Sequence, residues 1–168
     1  MKTLYLIRHA KSSWDNLDIQ DFDRPLNERG KDDLKLIWWF LSEKNIYPDV
    51  IFSSPAKRAK KTIKWICEYI SFPAKEVIFE RDIYENHMKS IDYYLAFLMD
   101  ISNKFNKVFL VWHNPFITDL SEFLTWLDVW NIPTCSVVSI KLEIDNWKDL
   151  SYEKGKMDFF VYPKILKY

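Results

Sequence analysis

Leu4-Tyr5-Leu6-Ile7, an unbroken apolar run, passes directly into Arg8 and His9. Four apolar residues bounded by polar ones read as a strand buried on both faces, as in the middle of a parallel sheet. Arg8 and His9 then fall at its carboxyl end, the edge where open α/β sheets hold their ligands. A guanidinium next to an imidazole at that edge points to phosphate chemistry on a histidine.

Working outward, strand-like and helix-like segments alternate with short connections. A polar loop from Lys11 to Arg29 follows the first strand. Leu34, Ile37, Trp38 and Leu41 then recur at i, i+3, i+4, i+7, the period of a helix face. Val50-Ile51-Phe52 reads as a second strand, followed by a helix striped by Ala59, Ile63, Ile66, Cys67 and Ile70. Val77-Ile78-Phe79 reads as a third strand, Ile91 to Ile101 as a helix, and Val108 to Trp112 as a central strand. The next helix carries Phe116, Ile117, Leu120, Phe123, Leu124 and Leu127. Beyond Pro133, Ser136 to Ile144 and Phe159 to Tyr162 flank a polar stretch and read as a hairpin added to the sheet. The pattern predicts an α/β fold: a three-layer sandwich with a mostly parallel central sheet, helices on both faces and a C-terminal hairpin addition. With no repeat or composition break, residues 1–168 are expected to form a single domain.

Composition narrows the function classes. Lys plus Arg and Asp plus Glu each total 24, so the formal net charge is zero and nucleic-acid binding by bulk charge is not expected, although local basic patches stay open. Only two glycines occur, Gly30 and Gly155, so no glycine-rich nucleotide loop can be built. Cys67 and Cys135 sit in apolar runs without metal or redox spacing and read as buried free thiols of a reducing compartment. No apolar run reaches the roughly 18 residues of a membrane span and no leader pattern opens the chain. The expectation is a cytoplasmic monomer with no membrane or nucleic-acid partner.

Two further strand ends converge on the same edge. The second strand runs into Ser53-Ser54-Pro55-Ala56-Lys57-Arg58. Ser54 is expected to cap the helix and Pro55 to open it, since proline has no amide to leave unpaired there. Arg58 then lies in the first turn and projects back over the sheet edge, where helix amides already favour an anion. A solvated basic face, shared with Lys57, Lys60, Lys61 and Lys64, is the alternative; it suits the lysines better than Arg58. The fourth strand ends in Trp112-His113-Asn114-Pro115, which repeats the cap-and-proline start and brings His113 to the same edge.

Taken together, "LIRHAKSSW" (residues 6–14), "DRPLNERG" (23–30), "SSPAKRAKKT" (53–62) and "WHNP" (112–115) resemble the histidine phosphatase superfamily, in its small phosphohistidine phosphatase (SixA-type) branch. The resemblance implies that His9 is the nucleophile and that Arg8, Arg58 and His113 form the phosphate pocket. Ala10 stands where the commonest form has glycine. Trp112 stands where this branch commonly has a small residue, with the expectation of a narrower pocket. Glu85, in "IYEN", resembles a position where relatives carry an acidic residue and is the general-acid candidate, ahead of His87.

The chemistry agrees from below. A neutral imidazole can attack phosphorus and form a phosphoenzyme, splitting one displacement into two. Arg8, Arg58 and a protonated His113 would neutralise the equatorial oxygens of the transition state. No cofactor is called for, and His9, His87 and His113 show no metal-ligand spacing. Ser12 and Asn16 could donate to substrate or merely shape the turn. Arg24 could border the pocket mouth or pair with Asp23 or Glu28. Trp14, Trp38 and Trp39 read as packing rather than substrate stacking. Phosphohistidine on a phosphorylated protein is the expected substrate. A small phosphorylated metabolite such as a sugar or nucleotide phosphate, and a non-catalytic phospho-ligand module, are the competing readings.

Overall fold

The computed structural model describes residues 1–85 and 90–167, with Glu85 described by its backbone only. The strands are β1 (Lys2–Arg8), β2 (Val50–Ser53), β3 (Ile78–Phe79), β4 (Lys107–Trp112), β5 (Val137–Leu142) and β6 (Gly155–Val161). The helices are α1 (Glu28–Glu43), α2 (Lys57–Ile70), α3 (Asp82–Glu85), α4 (Ile91–Met99) and α5 (Phe116–Thr125). The strands make one six-stranded sheet in the order β3-β2-β4-β1-β5-β6. β3, β2, β4 and β1 run parallel, while β5 and β6 continue the sheet as an antiparallel hairpin.

Because side chains alternate across a strand, β1 feeds two cores. Leu4 and Leu6 pack with Leu95 and Leu98 of α4 and Leu120 and Leu124 of α5. Tyr5 and Ile7 pack on the opposite face with Leu34 and Ile37 of α1 and Ile63 and Ile66 of α2. The result is the expected three-layer α/β arrangement. β1 is buried on both faces, as its apolar run requires, but it borders the antiparallel hairpin on one side.

Several local expectations are corrected. α2 begins at Lys57, not Pro55, and its cap position is Ala56 without a side-chain cap. α5 begins at Phe116 after Pro115 and ends at Thr125, where Trp126 turns left-handed at φ 56°, so Leu127 leaves the stripe and is 48% exposed. The third strand is a two-residue edge strand with both side chains exposed. α4 stops at Met99, with Asp100 at its end. The striped residues of α2 are buried while Lys57, Lys60, Lys61 and Lys64 are exposed, so the lysines do form a solvated face. Cys67 and Cys135 are buried free thiols. Among the described residues no helix is long and apolar enough to cross a membrane.

One contact places the loop after β1. Asn27 caps α1 by accepting from the Gly30 amide at 2.8 Å, and its own amide donates to the Lys11 carbonyl at 3.0 Å. A Cβ on Gly30 would stand 2.3 Å from that same carbonyl oxygen. Only glycine permits the approach. Pinned at Lys11, the loop brings Asp21 to Arg58 of α2, which itself meets His9 just beyond the end of β1.

Candidate active site

The ends of β1, β2 and β4 adjoin, with Arg8 paired to Trp112 and Ser53 to Val111. The His9 amide donates to the Trp112 carbonyl at 3.2 Å, and the Ala10 amide donates to Thr62 Oγ1 of α2 at 2.9 Å. These bonds hold His9 between strand and helix, where it is buried.

The ring of His9 has one tautomer compatible with its neighbours. Nδ1 lies 2.8 Å from the Ala10 carbonyl, which can only accept, so Nδ1 carries the proton. Nε2 lies 3.3 Å from Arg58 Nε, which can only donate, so Nε2 holds a lone pair. Burial pushes the His9 pKa down to about 3; the Arg58 and Arg8 charges add to this, and the Ala10 bond and Asp21 oppose it. The imidazole is therefore neutral, with its basic nitrogen directed into the site.

Two guanidiniums meet there. Arg58, the second residue of α2, is 7% exposed and reaches back over the sheet edge as expected. Arg8 Nη1 donates to the Ile132 carbonyl at 2.5 Å, and its Nε is buried without a partner among the described residues. Burial and the nearby Arg58 charge lower the Arg8 pKa. Two desolvated cations and an unpaired buried donor define a place for an anion. His113, 7% exposed, lies with its ring centroid 4.9 Å from that of His9, and its Nε2 is 2.6 Å from Ser54 Oγ. Ser54 thus serves the site, where the sequence suggested only a helix cap.

The other candidates are placed differently. Arg24 is buried and pairs with Asp21 at 3.2 Å, not with Asp23 or Glu28; it also donates to Ser12 Oγ at 3.0 Å. Ser12 is thereby engaged in holding the loop. Asn16 is exposed and accepts from the Asp18 amide at 2.9 Å, a turn-shaping role. Trp14 is 63% exposed and lies over the Arg24 guanidinium, and Trp39 is half exposed, so neither is core; Trp38 stacks on Tyr69. Trp112 does not narrow the pocket. Its side chain is 1% exposed in the core beside Tyr94 and Phe116, and its indole N–H donates to the Ile83 carbonyl at 2.6 Å. That bond anchors α3, whose last residue is Glu85. The Glu85 side chain and His87 lie outside the described residues.

Sequence reading missed Asp21. Its carbonyl accepts from Arg58 Nη1 at 2.6 Å and its Oδ2 from Arg58 Nη2 at 2.9 Å. Tyr84 of α3 donates to the same Oδ2 at 3.1 Å. Burial would raise the Asp21 pKa, but the bond and charge of Arg58, with Tyr84 and Arg24, leave it below the usual carboxylate value. A buried arginine calls for a counter-ion, yet nothing in the pattern of the loop separates Asp21 from Asp15, Asp18 or Asp23. Asp21 also borders a hollow of about 400 Å³ lined by Gln20, Phe22, Arg81 and Tyr84.

The model of the histidine phosphatase superfamily (branch 1) matches residues 4–93. An uncharacterised chloroplastic protein of Arabidopsis thaliana is 43% identical over 63 residues, 38% of this chain and 29% of that protein. A 2,3-bisphosphoglycerate-dependent phosphoglycerate mutase of Chelativorans sp. is 35% identical over 78 residues, 45% of this chain and 38% of the mutase. The match thus spans only about a third of these curated relatives. The solved structure of the protein histidine phosphatase SixA with tungstate superposes at a TM-score of 0.80, 20% identity, over 98% of this chain and 99% of the other. A mycobacterial glucosyl-3-phosphoglycerate phosphatase superposes at 0.64, 15% identity, over 94% and 97%. With more than half its length matched by the family model, the chain belongs to branch 1 of the histidine phosphatase superfamily.

Proposed function

We propose that the protein is a phosphatase that works through a phosphohistidine on His9 and removes phosphoryl groups from protein phosphohistidine. The observation that carries this reading is the His9 ring, neutral, with Nδ1–H locked on the Ala10 carbonyl and the Nε2 lone pair facing Arg58.

In the first step Nε2 attacks phosphorus, the bond to the substrate's imidazole nitrogen breaks, and that imidazole leaves with the electron pair and takes up a proton. In the second step water attacks the phosphoenzyme, giving up a proton as phosphate departs and His9 is regenerated. Arg8, Arg58 and His113 surround the transferred group and balance the charge on its oxygens. Glu85 is the proposed acid and then base; α3 is held beside the site by Trp112 and by Tyr84, whose ring lies 5.9 Å from that of His113. The choice of a protein substrate is supported by superposition on SixA over nearly the whole of both chains.

Rapid-quench labelling tests the reading. Phosphate that is acid-labile and alkali-stable is expected on His9, and none on the His9→Ala variant. Equal labelling of both would remove His9 from the role. Turnover of phosphohistidine peptides against sugar and nucleotide phosphates then decides the substrate class.

A further inference from the structure

Arg58 has two flat edges with which to meet a phosphoryl group, the Nη1/Nη2 edge and the Nε/Nη2 edge. Asp21 engages the first of these at both ends, through its carbonyl on Nη1 at 2.6 Å and its carboxylate on Nη2 at 2.9 Å. The Nε–H of the second edge lies 3.3 Å from His9 Nε2, the nitrogen that would attack phosphorus. The Arg58 side chain is 9% exposed, so it has little freedom to choose its partner.

We propose that Asp21 is a positioning residue of the phosphate pocket: by holding the Nη1/Nη2 edge of Arg58, it presents the Nε edge to a phosphoryl group arriving at His9. The inference rests on the phosphatase reading for its catalytic consequence, but not for its effect on anion binding. Asp21 is itself held from two more sides, by Arg24 at 3.2 Å and the Tyr84 hydroxyl at 3.1 Å. The loop after β1, α2 and α3 therefore meet at one carboxylate. Its two guanidinium partners, Arg58 and Arg24, also balance its charge, so it stands near an incoming anion without an unmatched negative charge repelling it. The role requires an acceptor of the right length on the loop, which an asparagine keeps and an alanine lacks.

The experiment is a double-mutant cycle between Asp21 and Arg58, read by vanadate affinity and by the single-turnover rate of phosphoryl transfer from an aryl phosphate to His9. D21A is expected to lower both readings by roughly 10²-fold, the scale on which small misplacements of a catalytic group act. D21N should recover most of the loss, and D18A, an exposed position on the same loop, should match the wild type. In the R58K background, which has no planar edge to orient, D21A should cost less than about twofold, because coupled pairs are non-additive. Should D21A fold poorly by urea titration, D21S, whose hydroxyl is too short to reach the Arg58 Nη2 that the carboxylate meets at 2.9 Å, completes the same cycle with R58K. An equal cost of the Asp21 substitution in the wild-type and R58K backgrounds would overturn the proposal, as would wild-type affinity and rate in D21A. Loss of vanadate binding in D21A together with a wild type that never labels His9 would instead uphold the positioning and overturn the phosphoenzyme.

Discussion

At the scale of single residues, position separates one cation from its neighbours. Arg58 is buried against His9 and Asp21, whereas Lys57 and Lys61, one and three residues away, are exposed. Arg58→Ala is therefore expected to slow phosphoryl transfer by roughly 10²–10³, the cost of losing one preorganised donor, while Lys57→Ala and Lys61→Ala stay near wild type in the same assay. His9 carries a pH signature. Its ordinary value of 6.5 falls to about 3 in the fold, so the unfolded chain binds a proton that the native site refuses. Stability from this group is full above pH 6.5 and is lost as pH falls toward 3. His9→Gln should accordingly lose less melting temperature than the wild type between about pH 7 and pH 4.5. The identical loss in both would place the titration elsewhere.

At the scale of elements, the site depends on how α1 and α2 grip the end of β1. Gly30 is the tightest point, with the Lys11 carbonyl where a Cβ would stand. Gly30→Ala must shift backbone against backbone, and a cost of roughly 1–3 kcal/mol in urea unfolding is expected, with a loss of activity because the loop bearing Asp21 and Arg24 moves too. Thr62 makes the second grip, accepting from the Ala10 amide at 2.9 Å and donating to the Arg58 carbonyl at 2.8 Å. Thr62→Val keeps the shape but leaves the buried amide of Ala10 unpaired, which costs about 1–3 kcal/mol. Equal stability of Thr62→Val and wild type would mean that this bond does not hold the nucleophile's strand end. These grips were half legible beforehand: the motif containing Gly30 and the stripe of α2 were visible, but their meeting at Lys11 and Ala10 depends on contacts far apart in sequence.

At the scale of the molecule, helices bury the two faces of the sheet separately, and the carboxyl ends of its parallel strands collect two histidines and two arginines at one edge. In the proposed reaction these side chains would supply the charge that stabilises the transferring phosphoryl group. Turnover is expected to survive chelators, and vanadate is expected to compete with substrate. Inactivation by EDTA that one divalent ion reverses would show that the pocket's own cations are insufficient.

The layers and the sheet edge that gathers the candidate site were legible in the chain's own pattern. Apolar runs and helical stripes report burial directly, because the hydrophobic period is a local property of each element; hence Arg8, His9, Arg58 and His113 could be brought together before any coordinates. The direction of Trp112, whose indole belongs to the core rather than the pocket, and the tautomer of His9 emerged with the assembled fold. Assembly also selected Asp21 from a loop rich in equivalent aspartates. A polar loop has no period to read, and which of its carboxylates meets a buried guanidinium is set by where distant elements pin its ends.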